Sequence, residues 1–303
     1  MKIAVVIPVY HDSLSVLELC SLRQVYNILH SHELIIIKPD SLKLENIKKD
    51  FQSLSFVSFD DYFFRGRSNY NELMLSALFY EHFLQYDYIL IYQLDAYVFR
   101  DELLSWCEKG YDYIGAPWLK KKIYHSPVIS QMRILWHNYK VYRNKLSTQV
   151  LYDKVGNGGF SLRKVESHYN AIKRHEKKIQ EYISHKNNHF YNEDVFWATE
   201  ASGFRYPSAM EALKFSFDKY PSYCFKLTDS QLPFGCHAWY NRKMRKFWKS
   251  FIKIKNIIDS SIVLPAKILT TFFPFLIIAF IRVGLNSYNI SVKEWAEKTN
   301  AIG

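Results

Sequence analysis

Cysteine is scarce in this 303-residue chain. Its four cysteines, Cys20, Cys107, Cys224 and Cys236, lie far apart and form no CxxC pair, which argues against a disulfide framework and against a structural zinc site. No GxGxxG follows the first apolar run and no P-loop pattern occurs anywhere, so neither a dinucleotide fingerprint nor a phosphate loop is present. The N-terminal run Lys2-Ile3-Ala4-Val5-Val6-Ile7-Pro8 is too short for a signal peptide and lacks a small-residue cleavage site, so a cytoplasmic setting is expected. There is no internal repeat and no low-complexity stretch. Charged residues make up only 23% of the chain against 49% hydrophobic and 17% aromatic, a balance that excludes wholesale disorder and supplies a full core.

Acids are almost missing from one region. From residue 241 onward eleven Lys and Arg face three acids, so +8 of the net +11 lies there and the first 240 residues are nearly neutral. The segment Arg242 to Lys255 mixes cations with Trp248, Phe247, Phe251 and Ile252 and has no acid. Next, Ile268 to Ile281 is apolar for 14 residues, with Pro274 inside and Lys267 and Arg282 at its ends. A spanning helix needs about 20 apolar residues, so an interfacial segment attracted to anionic lipid is expected. A helix packed on the domain is the plain alternative. The chain divides accordingly into a catalytic-type domain at 1–240 and a basic, amphipathic, membrane-associating tail at 241–303, with residues 241–285 facing the anionic membrane surface.

Within the first 240 residues, strand and helix patterns alternate. Lys2–Val9, Glu33–Lys38, Leu54–Phe59, Tyr88–Gln93 and Tyr111–Ile114 read as strands. Leu14–Leu29 and Asn69–Leu84 have helical periodicity, and Val195–Ala201 reads as a short helix. This order predicts an α/β fold with a single, mostly parallel Rossmann-like sheet covered by helices on both faces.

Four motifs carry chemistry. Tyr88 to Phe99 is an apolar run interrupted by Gln93-Leu94-Asp95, placing at a strand end either a hard oxygen donor, where open α/β sheets bind ligands, or an Asp that merely starts a turn or caps the next helix. Gly156-Asn157-Gly158-Gly159 precedes a strand-like Phe160-Ser161-Leu162; such glycines let backbone amides approach a ligand, or simply make a tight turn. Asn192-Glu193-Asp194 opens the predicted helix with adjacent acids, either dipole-stabilising caps or a general base. Pro233-Phe234-Gly235-Cys236-His237-Ala238-Trp239 sets one His among aromatics. That His is either a satisfied structural residue or an imidazole donor to the cation that Asp95 binds.

The ordered set IPVY, QLDAYVF, DYIGAPW, GNGGFSLRK, NEDVFW and FGCHAW resembles the nucleotide-sugar-dependent glycosyltransferases of the GT-A fold. More closely, it resembles a bacterial family of uncharacterised glycosyltransferase-like domains found around surface-polysaccharide genes. The resemblance covers about residues 1–240. It implies that Pro8, Val9 and Tyr10 lie at the nucleotide base, with Gln93 and Asp95 on the donor diphosphate. Gly158 and Gly159 would line the donor sugar, and Asp194, with Glu193 beside it, would stand at the catalytic base. Asp95 and His237 would be ligands of Mn²⁺ or Mg²⁺. Gln93 departs from the family's DxD by replacing the first acid, which puts metal affinity in question. The expected reaction is inverting transfer from a nucleotide-diphospho-sugar to a glycan or lipid-linked acceptor in cell-surface polysaccharide or lipopolysaccharide synthesis, with no nucleic acid as partner. The rival classes are a nucleotidyltransferase on a similar sheet and a non-catalytic membrane-surface binding protein.

Overall fold

The computed structural model describes residues 1–143 and 145–253. The expected membrane-associating tail is therefore described only as far as Lys253, and its apolar run at 268–281 lies outside the described residues. The main sheet contains β1 (Ile3–Pro8), β2 (Glu33–Pro39), β3 (Ser55–Phe59), β4 (Tyr88–Tyr92), β6 (Tyr113–Ile114) and β7 (Phe160–Lys164), in the order β3-β2-β1-β4-β7-β6. The first four are mutually parallel, and β7 runs antiparallel to both β4 and β6. A second, smaller sheet joins three two-residue strands, β5 (Tyr97–Val98), β8 (Ser216–Phe217) and β9 (Gly235–Cys236), in the order β5-β9-β8. This is the α/β, mostly parallel architecture that the alternation predicts.

The central strands are apolar without interruption because both faces of the sheet are covered. Alternate side chains go to opposite cores. Val5, Ile7, Leu34, Ile36 and Leu90 join the layer under the helix Val16–Ile28, while Ala4, Val6, Ile35, Ile37, Ile89 and Ile91 join the other, with Phe79, Phe196 and Trp197. Ser15 starts the helix Val16–Ile28 with a reciprocal capping box to Glu18, which satisfies two of the helix's orphan amides.

The single helix expected over 69–84 is two helices, Arg67–Met74 and Ala77–Glu81. Ser76 causes the break: its hydroxyl accepts from Phe79 N–H and donates to Leu73 C=O. A serine that bonds backbone in this way favours a cap over a helix interior. The compact unit runs from Met1 to Lys253. The helix Arg245–Trp248 packs on it, with Trp248 fully buried and stacked on Phe99 at 5.6 Å.

Candidate active site

Three very short strands assemble the site. After β4, a turn closed by the Ala96 N–H donating to Gln93 C=O at 2.8 Å puts Asp95 beyond the carboxyl ends of the parallel strands. The chain then enters β5, where Tyr97 pairs antiparallel with Cys236 of β9, so His237, the next residue, comes back beside that turn. β8 lies parallel to β9 with Phe217 opposite Cys236, which sets Asp218 beside His237. Residues far apart in sequence thus meet at one end of the six-stranded sheet.

The contacts are close. His237 Nε2 lies 3.0 Å from Asp95 Oδ1, and Nδ1 lies 3.1 Å from Asp218 Oδ1 and 3.0 Å from Asn157 Nδ2. Burial alone would pull the His237 pKa down, but Asp95 and the hydrogen bond to Asp218 outweigh it and hold the ring up at about 10. Burial likewise pushes Asp95 up, and the His237 charge outweighs it, leaving the carboxyl below its ordinary value.

The glycine motif explains how these groups fit. Asn157 takes a left-handed φ of 68°, a conformation Asn tolerates better than most residues. Its Oδ1 accepts from the Gly159 and Phe160 amides at 3.1 and 3.3 Å, which aims the amide nitrogen at His237. A methyl on Gly159 would overlap His237 Nε2, and one on Gly158 would overlap Glu193 Oε1. Both positions therefore require glycine for close approach.

Glu193 and Asp194 sit side by side in different surroundings. Glu193 is buried, and its Oε1 takes the Arg163 Nη2 at 3.0 Å. Arg163, fully buried, also donates to the Tyr80 hydroxyl at 2.9 Å and to Ser161 Oγ at 3.1 Å. Asp194 has no cation of its own among the described residues and accepts from the Val195 amide at 2.9 Å. Burial, then the charges of Glu193 and Asp218, raise its pKa to about 7. Asp194 is thus the acid able to exchange a proton near neutrality, while Glu193 is committed to Arg163.

Pro8, Tyr10, Gln93 and Asp95 line one cleft of about 170 Å³ with His11 and Tyr240. Tyr10 is exposed and packs edge-on against Tyr70 at 5.8 Å. The side chain of Val9 is enclosed in the core instead, so it makes no wall of the cleft. Asp95 joins the cleft to the His237 cluster, and Gly159 extends β4's pairing by accepting the Gln93 amide at 2.9 Å. Asp218 escapes sequence reasoning altogether, and Asn157 and Arg163 gain roles only here. A two-residue strand leaves no periodicity to mark the acid that follows it.

The residues fit a divalent cation as an incomplete shell. His237 Nε2 is buried without an aligned hydrogen bond although Asp95 Oδ1 is 3.0 Å away. Two donors on adjacent positions of a cation bonded at about 2.1 Å stand about this far apart. One carboxylate oxygen and, once the ring gives up its Nε2 proton to the cation, one imidazole nitrogen suit Mn²⁺ or Mg²⁺, with Asp218 fixing the ring through its other nitrogen. Among the described residues no group of three or more His, Cys, Asp or Glu gathers as a metal cage. The pair therefore suits a cation completed by substrate oxygens and water.

Residues 53–237 match the model of a family described as "Protein of unknown function (DUF5672)", a span that takes in all of the cluster just described. The chain belongs to that family. No curated protein matches it. Among solved structures, the galactosyltransferase LgtC in complex with donor and acceptor sugar analogues is 10% identical, with a TM-score of 0.54 over 87% of this chain and 98% of that one. An active-site mutant of LgtC is 14% identical, with a TM-score of 0.55 over the same shares. At such identities the likeness is one of fold, and the fold of this family member is that of the GT-A glycosyltransferases.

Proposed function

We propose that the protein is a glycosyltransferase that moves a sugar from a nucleotide-diphospho-sugar to an acceptor hydroxyl. The observation that carries this reading is the pairing, at the carboxyl edge of the parallel strands, of Asp95 and His237 3.0 Å apart with a separate carboxyl, Asp194, whose pKa is raised to about 7. Support comes also from LgtC, of similar fold, seen with donor and acceptor sugar analogues. In this reading Pro8, Tyr10 and Gln93 wall the cleft for the nucleotide, and Gly158 and Gly159 let Glu193 and His237 come close to the backbone that lines the donor-sugar side. Asp95 Oδ1 and His237 Nε2 would hold Mn²⁺ or Mg²⁺, which supplies Lewis-acid neutralisation of the leaving diphosphate.

Asp218 orients the imidazole by accepting the Nδ1 proton, and the Asn157 amide lies beside that nitrogen. Arg163 neutralises Glu193, so the adjacent acids do not both repel a diphosphate. Asp194 takes the proton from the acceptor hydroxyl as it attacks the anomeric carbon. A single displacement of this kind inverts the anomeric configuration, and the product's anomeric proton coupling tests that step; retention would overturn the base assignment while leaving transfer intact. A glycan or lipid-linked acceptor in surface-polysaccharide synthesis at the inner face of the cytoplasmic membrane completes the proposal, and the basic segment 241–285 would contribute to that placement.

The test is a panel of nucleotide-sugars and nucleoside diphosphates scored for thermal stabilisation and hydrolysis, with Mn²⁺ and with chelator. Stabilisation by at least one donor, larger with Mn²⁺, is expected. No response to any of them under either condition would overturn the reading.

A further inference from the structure

The helix Pro127–Tyr142 is built inside out. It has 16 residues and buries none of them. Val128, Met132, Leu135, Trp136, Tyr139 and Tyr142 recur at helical spacing along one stripe, and each is between 51% and 83% exposed. The half-buried residues on the opposite face are Ile129, Ser130, Arg133, His137 and Lys140, four of them polar. Arg133 lies over the Tyr124 ring at 3.9 Å, donates to the Tyr152 hydroxyl, and its C=O accepts from Gln149 Nε2 at 2.6 Å. A surface helix of a soluble domain shows the reverse order, apolar face inward and polar face out. An exposed apolar stripe of this size marks a docking surface.

Charge identifies the partner. Between Pro117 and Val155 eight Lys and Arg face a single acid, Asp153, which pairs with Lys120 at 3.4 Å. Cations stand at both ends of the stripe, Lys121 and Lys122 before it and Arg143 and Lys145 after it. Two copies of this surface laid face to face would oppose cation with cation. An anionic bilayer complements it on both counts: phosphates accept the lysines, and the acyl boundary accepts Leu135, Met132 and Trp136. Trp136 and Tyr139, stacked at 5.6 Å, have the amphipathic rings that settle at headgroup level. No helix among the described residues is long and apolar enough to cross a membrane, so the fit is to the surface.

We propose that the helix Pro127–Tyr142, flanked by its basic ends, is a membrane-docking element that seats its apolar stripe in an anionic lipid surface. The excursion that carries it leaves at Pro117 and returns at Val155, which pair as a bridge. Trp118, next to Pro117, packs on Gly156 at the head of the glycine motif. Docking therefore fixes the height of the candidate active site above the lipid. If the transfer proposed above is correct, this selects an acceptor carried by a membrane lipid. The docking itself does not depend on that reading.

The experiment uses the full chain without nucleotide-sugar. All four native cysteines are buried, so Met132→Cys accepts an environment-sensitive fluorophore selectively, and Ser53→Cys, exposed just before β3 at the far edge of the sheet, serves as control. Vesicles of about 30% phosphatidylglycerol in phosphatidylcholine should shift the residue-132 probe to the blue and make it quenchable by doxyl lipids, with residue 53 unchanged. Pure phosphatidylcholine, or 0.5 M salt, should reduce the shift by screening or removing the attraction. Leu135→Glu with Trp136→Glu should lower vesicle partitioning at least tenfold while leaving the melting temperature unchanged. A residue-132 probe that stays unshifted while the protein still sediments with vesicles would overturn the proposal, because another segment would then be the anchor. A shift that grows with protein concentration in the absence of lipid would also overturn it, in favour of self-association.

Discussion

Replacing Asp194 by Asn separates the two roles that an acid at a helix start can have. Asp194 is the second residue of the helix Glu193–Thr199. If its task is to complement the helix dipole, losing the charge costs about 0.3–1 kcal/mol at any pH above the carboxyl range. The surroundings argue the opposite. With the folded pKa raised to about 7 from the ordinary carboxyl value of 3.8, the native state favours the protonated acid. Its contribution to stability is fully present below the unfolded pKa and is lost as pH rises through 7. The full displacement corresponds to about 4 kcal/mol, and partial access of water reduces this to roughly 2 kcal/mol. Asn at this position keeps an oxygen for the Val195 amide and carries no charge.

Asp194→Asn should therefore melt higher than the parent at pH 8, by about 4 °C or more, and the gap should narrow toward pH 5. The same variant should lose transfer, and the parent's kcat/KM should rise with pH through about 7 as the base ionises. Melting curves at pH 5 and pH 8, with rates at both, check all three points. A lower melting temperature at pH 8 with activity retained would refute the base assignment and leave Asp194 a cap.

Other substitutions report on neighbouring parts. Gly159→Ala forces a methyl onto His237 Nε2 and should abolish Mn²⁺ binding, read by calorimetry, with retained circular dichroism showing the fold intact; unchanged affinity would remove His237 from the cation site. Glu193→Gln leaves the buried Arg163 charge uncompensated and should cost about 3 kcal/mol in urea unfolding; a cost near zero would mean Arg163 finds water or another partner. Gln93→Ala should weaken nucleotide binding less than Asp95→Ala does, and the reverse order in thermal-shift titrations would contradict the assignment of Asp95 as the charged ligand.

The parallel half of the fold is legible in the chain because buried parallel strands write themselves as unbroken apolar runs, as in Ile3–Pro8 and Tyr88–Tyr92. The split at Ser76 is less visible, since helical periodicity continues on both sides and only a side-chain hydrogen bond interrupts it. In the site, Asp95 and His237 stand out by chemistry, one ending a strand and the other isolated among aromatics. Asp218 does not, because its position follows from two-residue strands whose pairing is a tertiary event. The helix Pro127–Tyr142 is misleading to any rule that turns apolar stripes inward, and its exposure emerges only once Arg133 is seen holding the protein side.

The central claim is that Asp95 and His237 together hold a cation for a donor diphosphate. It is tested most directly by release of nucleoside diphosphate from the nucleotide-sugar that binds best, compared between the parent and Asp95→Ala, in Mn²⁺ and in chelator. The account predicts Mn²⁺-stimulated release by the parent and none above background by the variant, although both melt cooperatively. Equal, chelator-insensitive release by the two proteins would contradict it.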